Sequence, residues 1–107
     1  MIYLACPYAH ADPAVMQQRF EAVTKKAGEL MSKGITVYSP ITHNHPIQQM
    51  FNLPRTWEFW RERDIPFLSA ADEIWVLTLP GFDKSVGVNA EIDYMRELCR
   101  PIVFINS

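Results

Sequence analysis

Residues 73–79 read Glu73-Ile74-Trp75-Val76-Leu77-Thr78-Leu79, and this stretch decides the fold. After the first residue the run is apolar without the polar alternation of a half-exposed strand. A short run apolar on both faces is the pattern of a central parallel strand covered by helices on either side. Parallel neighbours must be joined by long crossovers, so helices are expected on both flanks. Downstream, Pro80–Lys84 reads as a turn, a helix follows to about Cys99, and Pro101–Ile105 forms a last apolar strand. Upstream, Pro54 starts a helix through Trp57, Phe59, Trp60 and Arg63, and Pro66 predicts a kink or restart near Asp64–Pro66. Ser39–Leu53 is polar and broken by Pro40 and Pro46, which predicts a long loop with one short helical turn near Gln48–Phe51. Ile35–Tyr38 is a strand. Before it, Asp12-Pro13 caps and opens a helix whose apolar face is Met16, Phe20, Val23, Ala27, Leu30 and Met31, ended by Gly34. Met1–Ala5 is the first strand. The order β-α-β-(loop-α)-β-α-β predicts an α/β fold: one domain over residues 1–107, with a doubly wound four-stranded parallel sheet in a flavodoxin/Rossmann-like three-layer sandwich. Ligands of such sheets sit at the carboxyl ends of the strands, which directs attention to the loops after Ala5, Tyr38 and Leu79.

Composition narrows the partners. The formal net charge is -2 and no Lys/Arg run forms a basic stripe, which argues against a nucleic-acid polymer. No apolar run approaches the ~20 residues that span a bilayer, so no membrane partner is expected. The start of the chain lacks the pattern of a signal peptide, and Cys6 and Cys99 lack the spacing of a disulfide framework. The expectation is a cytoplasmic protein with reduced thiols. A domain of this length has a modest core, which favours a homo-oligomer, most simply a dimer. The close pair Trp57 and Trp60 on one helix marks either core or that contact surface.

The segment richest in chemistry is Ser85-Val86-Gly87-Val88-Asn89-Ala90-Glu91, which follows the central strand and opens a helix. Ser85 caps the helix, Gly87 permits close approach of a ligand, and free amides with the helix dipole favour a phosphate at Ser85–Val88. Glu91 lies six residues beyond Ser85, at most ~9 Å along a helix rising ~1.5 Å per residue. A sugar phosphate spans such a gap; so does nothing at all, if the helix is simply capped and Glu91 faces solvent.

Four pieces of this sequence together resemble the nucleoside 2-deoxyribosyltransferase superfamily. The Ser85-x-Gly87-x-x-x-Glu91 segment looks like that of its 2'-deoxynucleoside 5'-phosphate N-hydrolases. Ile2-Tyr3-Leu4-Ala5 with Pro7 is similar to the opening strand and loop, Asp64 and Asp72 match its acidic positions, and Arg100-Pro101 its approach to the final strand. Within the superfamily, Leu4-Ala5-Cys6-Pro7-Tyr8 followed by a histidine and an aspartate most resembles an uncharacterised small bacterial and phage family. The resemblance implies the strand order 2-1-3-4. It implies cleavage of an N-glycosidic bond in a nucleoside 5'-monophosphate, by hydrolysis or deoxyribosyl transfer, through a covalent glycosyl-Glu91 intermediate. Tyr3 would orient Glu91 and Asp64 would meet the leaving base. Ser85, Gly87 and Val88, with Cys6 and Pro7 in the first loop, would hold phosphate and sugar. No cofactor is implied. Where related transferases acting on unphosphorylated nucleosides carry an aspartate, this sequence has Ser85, which tolerates a phosphate. It departs from the pattern at Cys6, Asn89 and Asp93, which stand in place of glycines, and in the longer turn Gly81–Lys84. The superfamily often completes its site with C-terminal residues, whereas this sequence ends at Ser107.

His43 and His45, two apart, share a side if extended, but no third ligand has metal-site spacing, so no metal is expected. With Tyr8 they are candidates for contacting the base. An alternative from another class is a non-catalytic module that binds or senses a nucleotide derivative on the same scaffold. A phosphoacceptor receiver domain is disfavoured because the acidic cluster and the Asp ending the third strand are missing. No Walker A or dinucleotide fingerprint is present.

Overall fold

A computed structural model describes residues 1–107. The elements in chain order are β1 (Ile2–Ala5), α1 (Pro13–Ser32), β2 (Val37–Tyr38), α2 (Pro40–Phe51), α3 (Trp57–Ala70), β3 (Glu73–Leu77), a 3-10 turn (Phe82–Lys84), α4 (Val86–Glu97) and β4 (Ile102–Ile105). The four strands form one parallel sheet in the order β2-β1-β3-β4. Fold class and strand order are as expected.

Strand alternation sorts the core into two layers. Tyr3 and Ala5 of β1 and Ile74 and Val76 of β3 face α3 and α4, where they meet Leu68, Val88, Ile92 and Met95. Leu4 and Leu77 face α1 and meet Val23, Ala27 and Leu30. Helix α1 begins as read: the Asp12 carboxylate accepts the Ala14 N–H at 2.9 Å, and Gly34 follows the helix at φ +83°, a conformation cheap only for glycine. No helix is long and apolar enough to cross a membrane.

The largest correction concerns residues 39–53. They form not a loop with one turn but the twelve-residue helix α2. Pro40 occupies the first turn, where a missing N–H is harmless. The Ser39 hydroxyl accepts the Thr42 N–H at 3.2 Å, and Asn52 ends the helix in the left-handed region at φ 50°. Pro46 deprives the helix of one bond, at a propensity cost of ~3 kcal/mol relative to alanine. Burial of Pro40, His45 and Gln48 and a 2.8 Å Thr24–Thr42 hydrogen bond to α1 offset it. Helix α3 likewise runs unbroken through Pro66, where a kink or restart was expected, because the half-buried Ile65 and the buried Leu68 on either side of the proline anchor it to the sheet. It also starts later than read, at Trp57 after Thr56. Strand β2 is confined to Val37–Tyr38, and β3 ends at Leu77 rather than Leu79.

Candidate active site

The parallel topology delivers the loop after β1, one face of α2 from Pro40 to Gln48, the first half of α3 and the start of α4 to the carboxyl edge of the sheet. There they enclose a cleft of about 500 Å³. Of the residues singled out in the sequence, Glu91, Asp64, Ser85, Gly87, Val88, Cys6, Tyr8 and His45 line it.

Glu91 sits one and a half turns into α4, only 5% exposed. The Tyr3 hydroxyl, fully buried in β1, donates to Glu91 Oε2. Asp64 approaches from α3, 6% exposed, and its Oδ1 accepts the Asn44 side-chain N–H at 2.8 Å. Every fully buried side-chain nitrogen or oxygen has a hydrogen-bond partner. Glu91 Oε1 and Asp64 Oδ2 have none, so each is the oxygen that opens onto the cleft. No cation pairs with either carboxyl.

Burial pushes Glu91 up to about 8; the Tyr3 hydrogen bond opposes this and the charge of Asp64 adds to it. Burial likewise pushes Asp64 up to about 6, against the Asn44 hydrogen bond and the nearby charges of His43 and Arg63. Tyr3 is raised well above the usual phenol range by burial and by the two carboxylates. Burial and Glu91 raise the Cys6 thiol, outweighing Arg19, so Cys6 stays a thiol; it donates weakly to the Pro7 carbonyl at 3.4 Å.

The tip of α4 forms another wall. Ser85 Oγ accepts the Val88 N–H at 3.2 Å, which leaves the hydroxyl hydrogen free, and the amides of Val86 and Gly87 have no acceptor. A Cβ built on Gly87 would meet Trp57 Cε3 at 3.6 Å, an ordinary contact, so the glycine leaves open space in the cleft rather than relieving a clash. Lys84 and Arg55 also line the cleft and make no ion pair.

Three expected residues do not line the cleft, and Tyr3, enclosed in the core behind Glu91, is the first. His43 does not line the cleft: the helical turn of α2 separates it from His45, and its ring lies 6.1 Å from Tyr38 and 6.5 Å from Phe67. Pro7 is fully buried within the first loop, and only its neighbours Cys6 and Tyr8 reach the cleft. The two histidines therefore share no side, and no group of three or more His, Cys, Asp or Glu is arranged to hold a metal ion. Trp57 and Trp60 line the cleft, and the Trp60 indole donates to the Pro54 carbonyl at 2.8 Å. Asp72 is exposed and takes the Met1 amino group. Asn44, Gln48, Arg55, Thr56, Glu58 and Lys84 were not singled out in the sequence. For Asn44 and Gln48 the signal was the Ser39-Pro40 helix start, which places them on the face of α2 that carries Pro40, Ile41 and His45.

A family model described as Domain of unknown function (DUF1937) matches residues 1–107, and the chain belongs to that family. No curated protein matches it.

Proposed function

We propose that this member of the DUF1937 family is a nucleotide N-glycosidase, cleaving the bond between sugar and base in a nucleoside 5'-monophosphate of the cytoplasm. The observation that carries the reading is the meeting of two buried carboxyls from different helices, each with one oxygen open to a cleft that also contains a capped helix tip. Glu91 Oε1 attacks the anomeric carbon while the bond to the base breaks, and the electron pair leaves with the base nitrogen. Asp64 Oδ2 supplies the proton that the leaving base needs, and Asn44 holds the other oxygen so that Oδ2 faces the cleft. Asp64 then takes a proton from water, or from a second base, as that nucleophile releases the sugar from Glu91. Phosphate binding at Ser85, Val86 and Gly87 contributes remote binding energy that positions the sugar. The resemblance to the nucleoside 2-deoxyribosyltransferase superfamily at Tyr3, Asp64, Ser85, Gly87 and Glu91 supports the same assignment.

One observation favours a non-catalytic nucleotide-binding module instead. Burial raises Glu91 above the ordinary carboxylate range, which disfavours the ionised form that a nucleophile requires. One experiment separates the two. Nucleoside monophosphates and nucleosides, ribo and deoxy, are incubated with the protein and free base is read by chromatography, with Glu91→Ala in parallel. Base release by the wild type, lost at least about a thousandfold in Glu91→Ala with binding retained, supports the enzyme. Nucleotide binding without release at high protein concentration supports the module.

The same reading includes a homodimer. Ile47, Met50 and Phe51 stand exposed along α2 at 40%, 79% and 68%. They offer an apolar contact in place of Trp57 and Trp60, which face the cleft. Light scattering at micromolar concentration giving the mass of one chain would refute it.

A further inference from the structure

One wall of the cleft contains a chain of hydrogen bonds whose direction is fixed from its outer end. A carboxylate oxygen only accepts, so Gln17 must present its NH₂ to Glu21 Oε1, 3.2 Å away. The Gln17 carbonyl Oε1 then faces His45 Nε2 at 3.0 Å. An amide oxygen also only accepts, so Nε2 carries the imidazole hydrogen. Burial holds His45 below its ordinary value, with Arg55 adding to the effect, and favours the neutral ring. Nδ1 is therefore a bare acceptor, and the Tyr8 hydroxyl 2.5 Å from it donates. With its one hydrogen directed at His45, Tyr8 presents only oxygen lone pairs to the cleft it lines.

The chain is held in place from several sides. The Phe20 ring stacks on His45 with centroids 4.3 Å apart, and Tyr8 meets the imidazole edge-on at 5.5 Å. The Arg19 guanidinium binds the carbonyls of Tyr8 and Ala9 at 3.3 and 3.2 Å, fixing the loop that bears the phenol.

We propose that Tyr8 determines which base is accepted: its fixed acceptor selects nucleotides whose base carries an exocyclic amino group over those with an oxo group in its place. The identity of the ligand rests on the N-glycosidase reading above. An amino group supplies the hydrogen that Tyr8 Oη lacks. An oxo group would set two acceptors against each other with no hydrogen between them, leaving both desolvated and unpaired.

The test compares adenosine with inosine 5'-monophosphate, and cytidine with uridine 5'-monophosphate, in ribo and deoxy forms. Both base release and equilibrium binding by calorimetry are measured. The amino member of each pair is expected to be favoured roughly tenfold or more. Tyr8→Phe should bring each pair within about twofold by losing the amino substrate. Gln17→Lys, on an exposed helix position, offers His45 only a donor. The imidazole then carries its hydrogen on Nδ1, Tyr8 is free to donate, and the preference should shift toward the oxo member. Base release without amino preference in the wild type, or with a preference that survives Tyr8→Phe, overturns the proposal and leaves the glycosidase reading intact, whereas binding with neither preference nor release overturns both. Amino-selective binding without base release supports Tyr8 and overturns the glycosidase reading. Neither release nor binding of any pair overturns both.

Discussion

The Tyr3 hydroxyl donates to Glu91 Oε2, linking the middle of β1 to α4 across 88 positions of sequence. The phenol is enclosed by the core cluster under α3 and α4, so it contributes no surface to a ligand and acts only through the carboxylate.

Tyr3→Phe removes the one hydrogen bond that favours the ionised form of Glu91, which already sits near 8. The acidic limb of the pH profile of kcat/KM should move up by about one pH unit, the size of a lost hydrogen bond to a charged group. A profile unchanged in position but lowered at every pH would mean that Tyr3 only supports the fold.

Glu91 binds its proton more tightly in the folded chain than in the unfolded one, with a folded value of about 8 against an ordinary 4.5. Its burial therefore costs nothing below about pH 4.5, and the fold loses stability as pH rises from there through about 8. Glu91→Gln removes this titration while leaving an acceptor for Tyr3. Its gain in Tm over the wild type should be small at pH 4–5 and reach several degrees at pH 8–9, since each kcal/mol moves a domain of this size by about 4–8 °C. A gain independent of pH, in thermal scans across that range, would contradict the burial argument.

Ser85→Asp keeps a good helix cap, so the fold should hold. It also sets a carboxylate beside the free amides of Val86 and Gly87. Binding of a nucleoside 5'-monophosphate should weaken at least about tenfold more than binding of the matching nucleoside, by like-charge repulsion in a partly desolvated site. Equal weakening of both, measured by calorimetry, would place the phosphate elsewhere.

Gly87→Ala separates the fold from the cleft. The added methyl meets Trp57 at an ordinary contact distance, and alanine is up to ~1 kcal/mol better than glycine within a helix. Tm should therefore hold or rise while nucleotide affinity falls through lost space at the helix tip. Unaltered affinity with raised Tm would show that the ligand does not approach Gly87.

The sheet was legible because its strands are short and apolar and the connections alternate with helices; the run at Ile74–Leu77 could belong nowhere but the middle. The strand order came from resemblance, not from pattern. Glu91 and Ser85 were legible because a helix start after a central strand fixes their spacing. Asn44 and Gln48 were not, because Pro46 reads as a break where tertiary burial of its neighbours holds the helix together. The same misreading set His43 beside His45, although a helix turns them apart. Nor does local sequence reveal that Gln17, His45 and Tyr8 meet, since that depends on how α1, α2 and the first loop are brought together.

Arg19 holds the carbonyls of Tyr8 and Ala9 with one nitrogen and that of Pro80 with the other, at 3.1 Å. The loop after β1 and the turn leading to α4 are thereby tied to a single side chain outside the sheet. For local unfolding they form one cooperative unit: neither loop can swing away from the cleft without stripping the guanidinium from its carbonyls or carrying the other along. Amide protons at Ala9 and at Gly81 to Lys84 should then exchange with a shared opening free energy, and both sides of the cleft's entrance loosen together when that one cation is removed.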